Sequence, residues 1–441
     1  MIKLIMCYPA REEQILGKKG LFGPLAFAYL ARHTPEYYKI DLYDEWVGEK
    51  FNPNTINADL VAISAVTTVI NRAYEIADIL KKRGIKCVIG GPHVSVLTDE
   101  ALKHFDSVII GEGETPWREF LNDFEKGDFK KTYFGPMDIS LSTLKTPRRE
   151  FINPNYHLSA INTSRGCPHN CSFCYLSIFK NRKYRTIPHE YILEDLDSIN
   201  TRNILSITDE NFMGFSTRDI EDRKILLEKI IRKKYKFAWG CQTSVRIGNE
   251  PELLSLMYKA GCRVIFAGFE TTSQESLKEV NKNQNLNFDY KKIVKNIHKH
   301  KIAVIASYVI GLDSHQKNYQ ETLIKEIKET KPDFIKLTFM TAWPGTPLFN
   351  KLEKEGRIER NWDNINFEIP FIQFKNFTID EIIATRNKVF DSFYNTKNIT
   401  IIVLRNLFKA PFLLIVFFLN LIVRWHPRWV AKSPVRKIVL P

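Results

Sequence analysis

Residues 164–175 read SRGCPHNCSFCY, which places Cys167, Cys171 and Cys174 at intervals of four and three residues. An apolar stretch with the pattern of a β-strand ends just before this segment. Three thiolates so close in sequence suit a single soft metal centre. Zinc is one possibility on the residues alone, because the nearby His169 could serve as a fourth ligand.

The chain around this loop, from 158 to 349, alternates apolar strand patterns with helical segments. The strand patterns read SAINTS, NILSITD, KFAWGCQ, RVIFAGFE, AVIASYVIG and FIKLTFM. This alternation predicts an α/β fold, a partial (β/α)6 barrel of the TIM type. The cysteine loop follows the first strand, and loops that follow barrel strands build the active face of such barrels.

In this context the cysteine loop resembles that of the radical S-adenosylmethionine superfamily, whose CxxxCxxC motif is matched by Cys167, Cys171 and Cys174. The resemblance implies a [4Fe–4S] cluster on the three thiolates, with its fourth iron left open for S-adenosylmethionine. One-electron reduction of that cosubstrate would give a 5′-deoxyadenosyl radical, which abstracts hydrogen from an unactivated carbon. Phe173 matches the aromatic residue that the family places before the last cysteine, and with Tyr175 it is predicted to bind cofactor.

Later strand ends carry further matches to this family. The second barrel strand ends at Asp209 and Glu210, and the resemblance assigns one of them to the ammonium group of the cosubstrate without choosing between them. Glu270 ends the fourth strand, where the family contacts the ribose or carboxylate. Gly311 ends the fifth strand near the expected adenine site, although Asp313 replaces the usual proline there. The sequence assigns no catalytic residue.

Residues 1–135 show a second alternation of strands and helices, which predicts a doubly wound, Rossmann-like parallel sheet. Apolar residues at helical spacing predict a helix over 21–33. Two strands end in glycine, in CVIGGPH at Gly90 and Gly91 and in SVIIGEGE at Gly111. Ligands bind such sheets at the carboxyl ends of strands, where glycine lets backbone approach closely, so we expect a ligand site there.

This domain resembles the cobalamin-binding domain of B12-dependent radical enzymes, most of which are class B methyltransferases. The resemblance implies bound cobalamin and predicts that these residues line its slot or mouth: Ser64, Thr67, Gly90, Gly91, Gly111, Glu112 and Glu114. The DxHxxG histidine that ligates cobalt in many cobalamin proteins is missing from the loop after the first strand, and His93 and His104 are possible replacements. The expected reaction is radical methyl transfer, and cyclisation or rearrangement on the same scaffold is the alternative.

Residues 136–157 form a predicted linker, and residues 350–441 form a predicted helical C-terminal region. The 441-residue chain has 64 Lys and Arg against 50 Asp and Glu, a formal charge of +14. No acidic residue follows Asp391, and basic residues flank the apolar segment PFLLIVFFLNLIV at 411–423. As a helix this segment would be roughly 20 Å long, short of the ~30 Å bilayer core. We therefore expect residues 399–441 to contact a membrane surface peripherally, which favours a lipid or isoprenoid substrate.

Seven cysteines are too few for a disulfide framework, so we expect a reducing, cytoplasmic location, at the cytoplasmic membrane face. The expected partners are a small-molecule or lipid substrate and an electron donor such as flavodoxin or ferredoxin. Outside enzymes, the alternative is a basic nucleic-acid-binding protein with a zinc loop. The basic residues near the cysteines form only a modest cluster, so we expect no nucleic-acid partner.

Overall fold

The computed structural model describes residues 2–10, 20–199, 204–365 and 370–406. The N-terminal part begins with a strand and alternates strands with helices. Its strands are β1 (Ile2–Tyr8), β2 (Gly20–Phe22), β3 (Tyr38–Asp44), β4 (Leu60–Ser64), β5 (Lys86–Gly90), β6 (Ser107–Gly111) and β7 (Thr132–Gly135). Its helices are α1 (Ala26–Arg32), α2 (Ile70–Lys82), α3 (Thr98–Ala101) and α4 (Glu114–Lys126).

The first sheet has the order β3-β1-β4-β5-β6-β7 among the described residues, and every neighbouring pair is parallel. Its central strands are apolar runs with residues buried on both faces, because helices cover both sides. Phe27 and Trp117 pack on one face, whereas Ile70 packs on the other. The predicted doubly wound sheet is confirmed.

The helix predicted over 21–33 is wrong at its start. It begins at Ala26, because the preceding Gly23-Pro24 pair does not continue a helix and separates it from β2. Strand β2 leaves the first sheet and pairs with the barrel sheet, with Phe22 opposite Leu158. The first part of the chain therefore completes the edge of the second domain.

The second domain contains the predicted six barrel strands and a short extra ladder. Its strands are β8 (Tyr156–Ile161), β9 (Ser164–Arg165), β10 (Arg185–Thr186), β11 (Ile204–Ile207), β12 (Trp239–Thr243), β13 (Cys262–Glu270), β14 (Ala303–Ile310) and β15 (Phe334–Phe339). Its helices are α5 (His189–Ser198), α6 (Thr217–Lys233), α7 (Pro251–Lys259), α8 (Gln274–Glu279), α9 (Tyr290–Lys299), α10 (Tyr319–Thr330) and α11 (Pro347–Lys354).

The barrel sheet has the order β15-β14-β13-β12-β11-β8-β2 within the described ranges, so its neighbours follow chain order. This is a curled, open parallel sheet with helices on its outside, as predicted for a partial barrel.

Caps begin some of the helices where the sequence supplies them. Ser216 and Asp219 form a reciprocal capping box at α6, because each side chain bonds the backbone N–H at the other's position.

The C-terminal region packs against both domains. It contains α12 (Ile379–Phe393) and α13 (Thr396–Asn406), and the indole N–H of Trp362 donates to Glu100 of the first domain at 2.9 Å. Among the residues that the structure describes, no helix is both long enough and apolar enough to cross a membrane. The predicted membrane segment at 411–423 lies outside the described residues.

Candidate active site

The carboxyl ends of both sheets face one cavity of about 890 Å³ between the two domains. Parallel strands place all their following loops at one edge, so the glycine loops of the first sheet and the cysteine loop of the second meet there. The predicted site residues that line this cavity are Ser64, Gly91, Gly111, Glu112, Glu114, Tyr175 and Glu210.

Two glycines shape the wall that the first sheet provides. Gly91 has φ +127°, and a Cβ there would collide with the carbonyl oxygen of Ala65. Gly111 has φ +81°, and its Cβ would collide with the carbonyl oxygen of Gly135. Glycine is required at both positions, since the loops pack backbone against backbone at the strand ends. Both glycines also line the cavity, where the absence of side chains leaves room for a large ligand, so these residues fit a cobalamin.

Other residues predicted for the cobalamin slot lie away from the cavity. Gly90 precedes the cavity wall, and a Cβ there would make only ordinary contacts. Thr67 is buried, with its hydroxyl 3.2 Å from Nδ1 of His93. His93 is itself buried between Thr67 and Glu100, and His104 stacks on the ring of Tyr74. Neither histidine lines the cavity.

The cysteine loop is held in place by backbone hydrogen bonds. The Cys174 amide donates to the carbonyl of Cys171 at 3.1 Å, and the Ser172 amide donates to Val280 at 3.0 Å. One side chain also reaches a sulfur: Nε2 of Gln284 donates to Sγ of Cys171 at 3.3 Å. The loop is therefore fixed mainly by contacts that leave its thiols free to bind metal.

Burial favours the protonated form of two of the three cysteine thiols, those of Cys167 and Cys174. It raises the pKa of Cys167 and raises that of Cys174 to about 11. Bound iron deprotonates a coordinating thiol, so metal binding would reverse this effect.

Among the described residues, no group of three His, Cys, Asp or Glu side chains could hold a single metal ion. His169 instead lies with its ring 4.9 Å from that of Phe215. Three thiols with no fourth protein ligand fit a [4Fe–4S] cluster better than a zinc ion.

Asp209 and Glu210 are neighbours with different surroundings. The Asp209 carboxylate is fully buried and accepts from the Thr163 amide and the Ser164 hydroxyl, both at 2.7 Å. Glu210 faces the cavity and accepts from the Gly166 amide at 3.1 Å. Burial raises the pKa of both carboxyls. The Asp209 carboxylate is used by hydrogen bonds within the protein, whereas the Glu210 carboxylate is available to a ligand in the cavity.

The remaining predicted residues are not in the cavity wall. Glu270 has φ +64° and forms an ion pair with Lys282 at 2.8 Å. Gly311, with φ +93°, packs against the ring of Phe374 from the C-terminal region. Phe173 is half-buried and packs on the core.

Sequence reasoning missed three polar partners of this site. Lys282 forms an ion pair with Glu270, and although burial lowers the pKa of this lysine, the Glu270 carboxylate outweighs that effect and raises it. Arg165 and Arg185 pair with Glu114 and Glu112 across the domain boundary. Arg165 stands two residues before Cys167, which was an available signal, but Lys282 and Arg185 stand in polar segments without a motif.

Comparison with known proteins agrees with this two-domain site. Residues 161–327 match the model of the radical SAM superfamily, and residues 19–121 match that of the B12 binding domain. The bacteriochlorophyllide d C-12(1)-methyltransferase of Chlorobaculum tepidum is 28% identical over 82% of this chain and 80% of its own length. The hopanoid C-2 methylase of Rhodopseudomonas palustris is 24% identical over 79% of this chain and 68% of its own.

Among solved structures, the radical S-adenosylmethionine methyltransferase TsrM from Kitasatospora setae, with cobalamin and a [4Fe–4S] cluster bound, superposes with a TM-score of 0.72. The match covers 97% of this chain and 99% of TsrM at 13% identity, and it shows the shared fold. Fold and site thus define an enzyme with two cofactor domains. The matches to both domain models identify the chain as a radical S-adenosylmethionine enzyme with a B12-binding domain, the subgroup that contains the cobalamin-dependent methyltransferases.

The two domains define the cofactors of the enzyme. A radical SAM domain binds a [4Fe–4S] cluster and S-adenosylmethionine, and a B12-binding domain binds cobalamin. The zinc-loop alternative is therefore set aside in favour of an enzyme.

Proposed function

We propose that this enzyme transfers a methyl group to an unactivated carbon of an apolar substrate held between its two domains. The observation that carries the proposal is the cavity of about 890 Å³ onto which the carboxyl ends of both sheets open. A substrate in that cavity would lie between the cobalamin wall and the cysteine loop. Both cofactors could then act on one carbon while the protein excludes water.

The described residues divide into two cofactor sites. Cys167, Cys171 and Cys174 would hold the cluster, and Glu210 would accept the ammonium group of S-adenosylmethionine beside Tyr175. The backbone around Gly91 and Gly111 would hold the cobalamin, and neither His93 nor His104 lines the cavity in which it would bind. When bound, the cluster and S-adenosylmethionine supply hydrogen-abstracting radical chemistry, and cobalamin supplies the methyl group.

The lining of the cavity supports an apolar substrate, such as a lipid or isoprenoid. Apart from the residues assigned to the cofactors, the lining side chains are mainly aliphatic or aromatic, and they include Leu25, Tyr29, Val66, Val69, Met137, Leu176 and Phe179. The charged side chains at its edge are largely engaged with each other, as in the Arg165–Glu114 pair at 2.6 Å. An apolar ligand would lose little by leaving water for such a cavity.

We further propose that the enzyme associates peripherally with a membrane and receives electrons from a flavodoxin or ferredoxin. Ile401 and Leu404 are exposed on α13, which precedes the basic tail in the sequence. Arg405 pairs with Asp333, just before β15, at 2.6 Å. This contact places the end of α13 at the amino ends of the barrel strands, opposite the cavity. Membrane attachment and catalysis would therefore use different faces of the enzyme.

The experiment is anaerobic reconstitution with iron, sulfide and cobalamin, followed by reduction in the presence of S-adenosylmethionine with a deuterated methyl group and a lipid extract. We expect 5′-deoxyadenosine and a lipid product that carries the deuterated methyl group, neither of which the Cys171→Ala variant would form. An intact cluster without 5′-deoxyadenosine would refute the radical reaction. A product that has a new ring and carries no deuterium would show that the enzyme catalyses cyclisation instead of methyl transfer.

The membrane proposal is tested by deleting residues 407–441, which keeps α13. Fractionation of cells should show the full chain with the membranes and the truncated chain released from them. An unchanged membrane fraction would refute a contact through the tail.

A further inference from the structure

Four charged side chains form a compact network where the two domains meet. Arg185 holds Glu112 through two contacts, at 2.5 and 3.0 Å, and Arg165 lies 2.6 Å from Glu114 and 3.7 Å from Glu112. Their side chains are only 8–16% exposed. The glutamates belong to the first domain and the arginines to the second, so the network joins the two cofactor sites.

The two arginines depend on the two glutamates. Strands β9 and β10 are antiparallel, and their register sets Arg165 directly opposite Arg185. Like charges in directly opposed positions repel each other, and burial increases that repulsion. Glu112 and Glu114 neutralise the pair, and loss of one carboxylate would leave an uncompensated buried cation.

Each end of the network is attached to a cofactor loop. Arg165 is separated from Cys167 only by Gly166, whose amide bonds to Glu210. Glu112 directly follows Gly111 at the end of β6, and its amide donates to the carbonyl of Gly135 at 3.2 Å. A displacement of either arginine would therefore move a cofactor loop with it.

We propose that Arg185, together with Arg165, is a positioning residue that holds the cobalamin-binding loop in register with the cluster loop. Arg185 does not line the cavity and acts through Glu112, which does. Hydrophobic residues of similar volume often stabilise a protein as well as a buried ion pair does. A role in placing the two loops gives this charged network a function beyond stability. The inference rests on cobalamin binding by the first domain.

The test is the full-length Arg185→Met variant, titrated with hydroxocobalamin and followed by absorbance. We expect the cobalamin Kd to rise about tenfold, as for loss of residues that orient a ligand's direct contacts. The iron content after reconstitution should stay unchanged, because Arg185 binds no metal. Arg185→Lys keeps the charge without the two-point contact, and its Kd should lie between those of the wild type and Arg185→Met. Arg185→Lys also serves as the test variant if Arg185→Met does not fold.

The matched control is Asp195→Asn, which weakens another buried two-point pair, with Arg149 at 2.6 and 2.8 Å. This pair joins the linker to α5 and contacts neither glutamate, so the cobalamin Kd should not change. An equal loss of affinity in the control would reduce the network to a general role in stability and overturn the proposal. A Kd within twofold of wild type in both Arg185 variants would also overturn it.

Hydrogen exchange in the cofactor-free chain separates this inference from the proposed function. The Arg185→Met variant should exchange faster than the wild type at the amides of Glu112 and Gly166, while the centre of α6 exchanges as before. Unchanged exchange at both amides would refute the network's role. A wild-type chain that binds no cobalamin would instead contradict the cofactor assignment, and the exchange experiment would still decide whether the loops are held together.

Discussion

The carboxylate of Glu210 accepts a hydrogen bond from the amide of Gly166 at 3.1 Å, and this contact joins the end of the second barrel strand to the start of the cysteine loop. Gly166 has φ +89°, and a Cβ there would collide with the carbonyl oxygen of Lys183. The loop thus turns at a position that only glycine fills without strain. Glu210 is fixed beside the cluster loop and still faces the cavity.

This arrangement predicts that substitution of Glu210 affects ligand binding, whereas substitution of the adjacent Asp209 affects stability. Glu210→Gln should weaken S-adenosylmethionine binding about 10- to 100-fold, because it removes a charged acceptor for an ammonium group. Asp209→Asn should leave that affinity nearly unchanged but lower the free energy of unfolding by about 2 kcal/mol, because it disturbs the buried bonds to Thr163 and Ser164. Calorimetric titration and urea unfolding measure the two effects. Equal losses of affinity would contradict the assignment.

The cysteines should divide sharply into cluster ligands and core residues. Cys171→Ala should abolish the cluster absorbance after reconstitution, since two thiolates remain for a centre that needs three. Cys262→Ala is the control, because this residue is completely buried in the barrel core. Its loss should cost about 1 kcal/mol of stability and leave the cluster intact. A cluster of normal iron content in Cys171→Ala would rule out the proposed ligand set.

Two glycines with positive φ angles should respond differently to alanine. Gly84 has φ +75° with open space around it, so Gly84→Ala should cost about 1 kcal/mol from backbone strain alone. Gly91→Ala adds a collision with the carbonyl of Ala65 and should cost about 3 kcal/mol. Only Gly91→Ala should also weaken cobalamin binding, which an optical titration measures. Comparable cobalamin affinities in the two variants would argue against a ligand at this strand end.

Glu326 should make the stability of the barrel depend on pH. Burial raises the pKa of this carboxyl from 4.5 to about 7. Between these values the folded chain keeps a proton that the unfolded chain has released, so stability falls as pH rises through this window. Glu326→Gln cannot ionise, and its advantage over wild type should grow from about zero below pH 4.5 to about 3 kcal/mol above pH 7.

Urea unfolding at several pH values checks this prediction. The control is Glu321→Gln, an exposed position on the same helix that is not among the groups acting on Glu326, and it should leave the pH profile unchanged. A constant difference between Glu326→Gln and wild type across the range would show that Glu326 is not the titrating group.

The two parallel sheets could be predicted from the sequence. Their strands are buried under helices on both faces, and such burial leaves short apolar runs that can be recognised from neighbouring residues alone. The six barrel strands and most strands of the first sheet are found where their patterns predicted them. Strand β2 and the edge strand β7 were not predicted. Each is short, three and four residues, so it carries too little pattern to be recognised without its partner strand.

The sequence by itself determined that three closely spaced cysteines follow a barrel strand and that glycines end two strands of a preceding sheet. Spacing and glycine content are local properties, and through the family resemblance that they carry they indicated the two cofactor domains. Only the tertiary structure decided that Glu210 faces the cavity while Asp209 is used by Thr163 and Ser164, and that Arg185 reaches Glu112 across 73 residues. These contacts join segments far apart in the chain, and the packing of one domain against the other determines which polar groups meet.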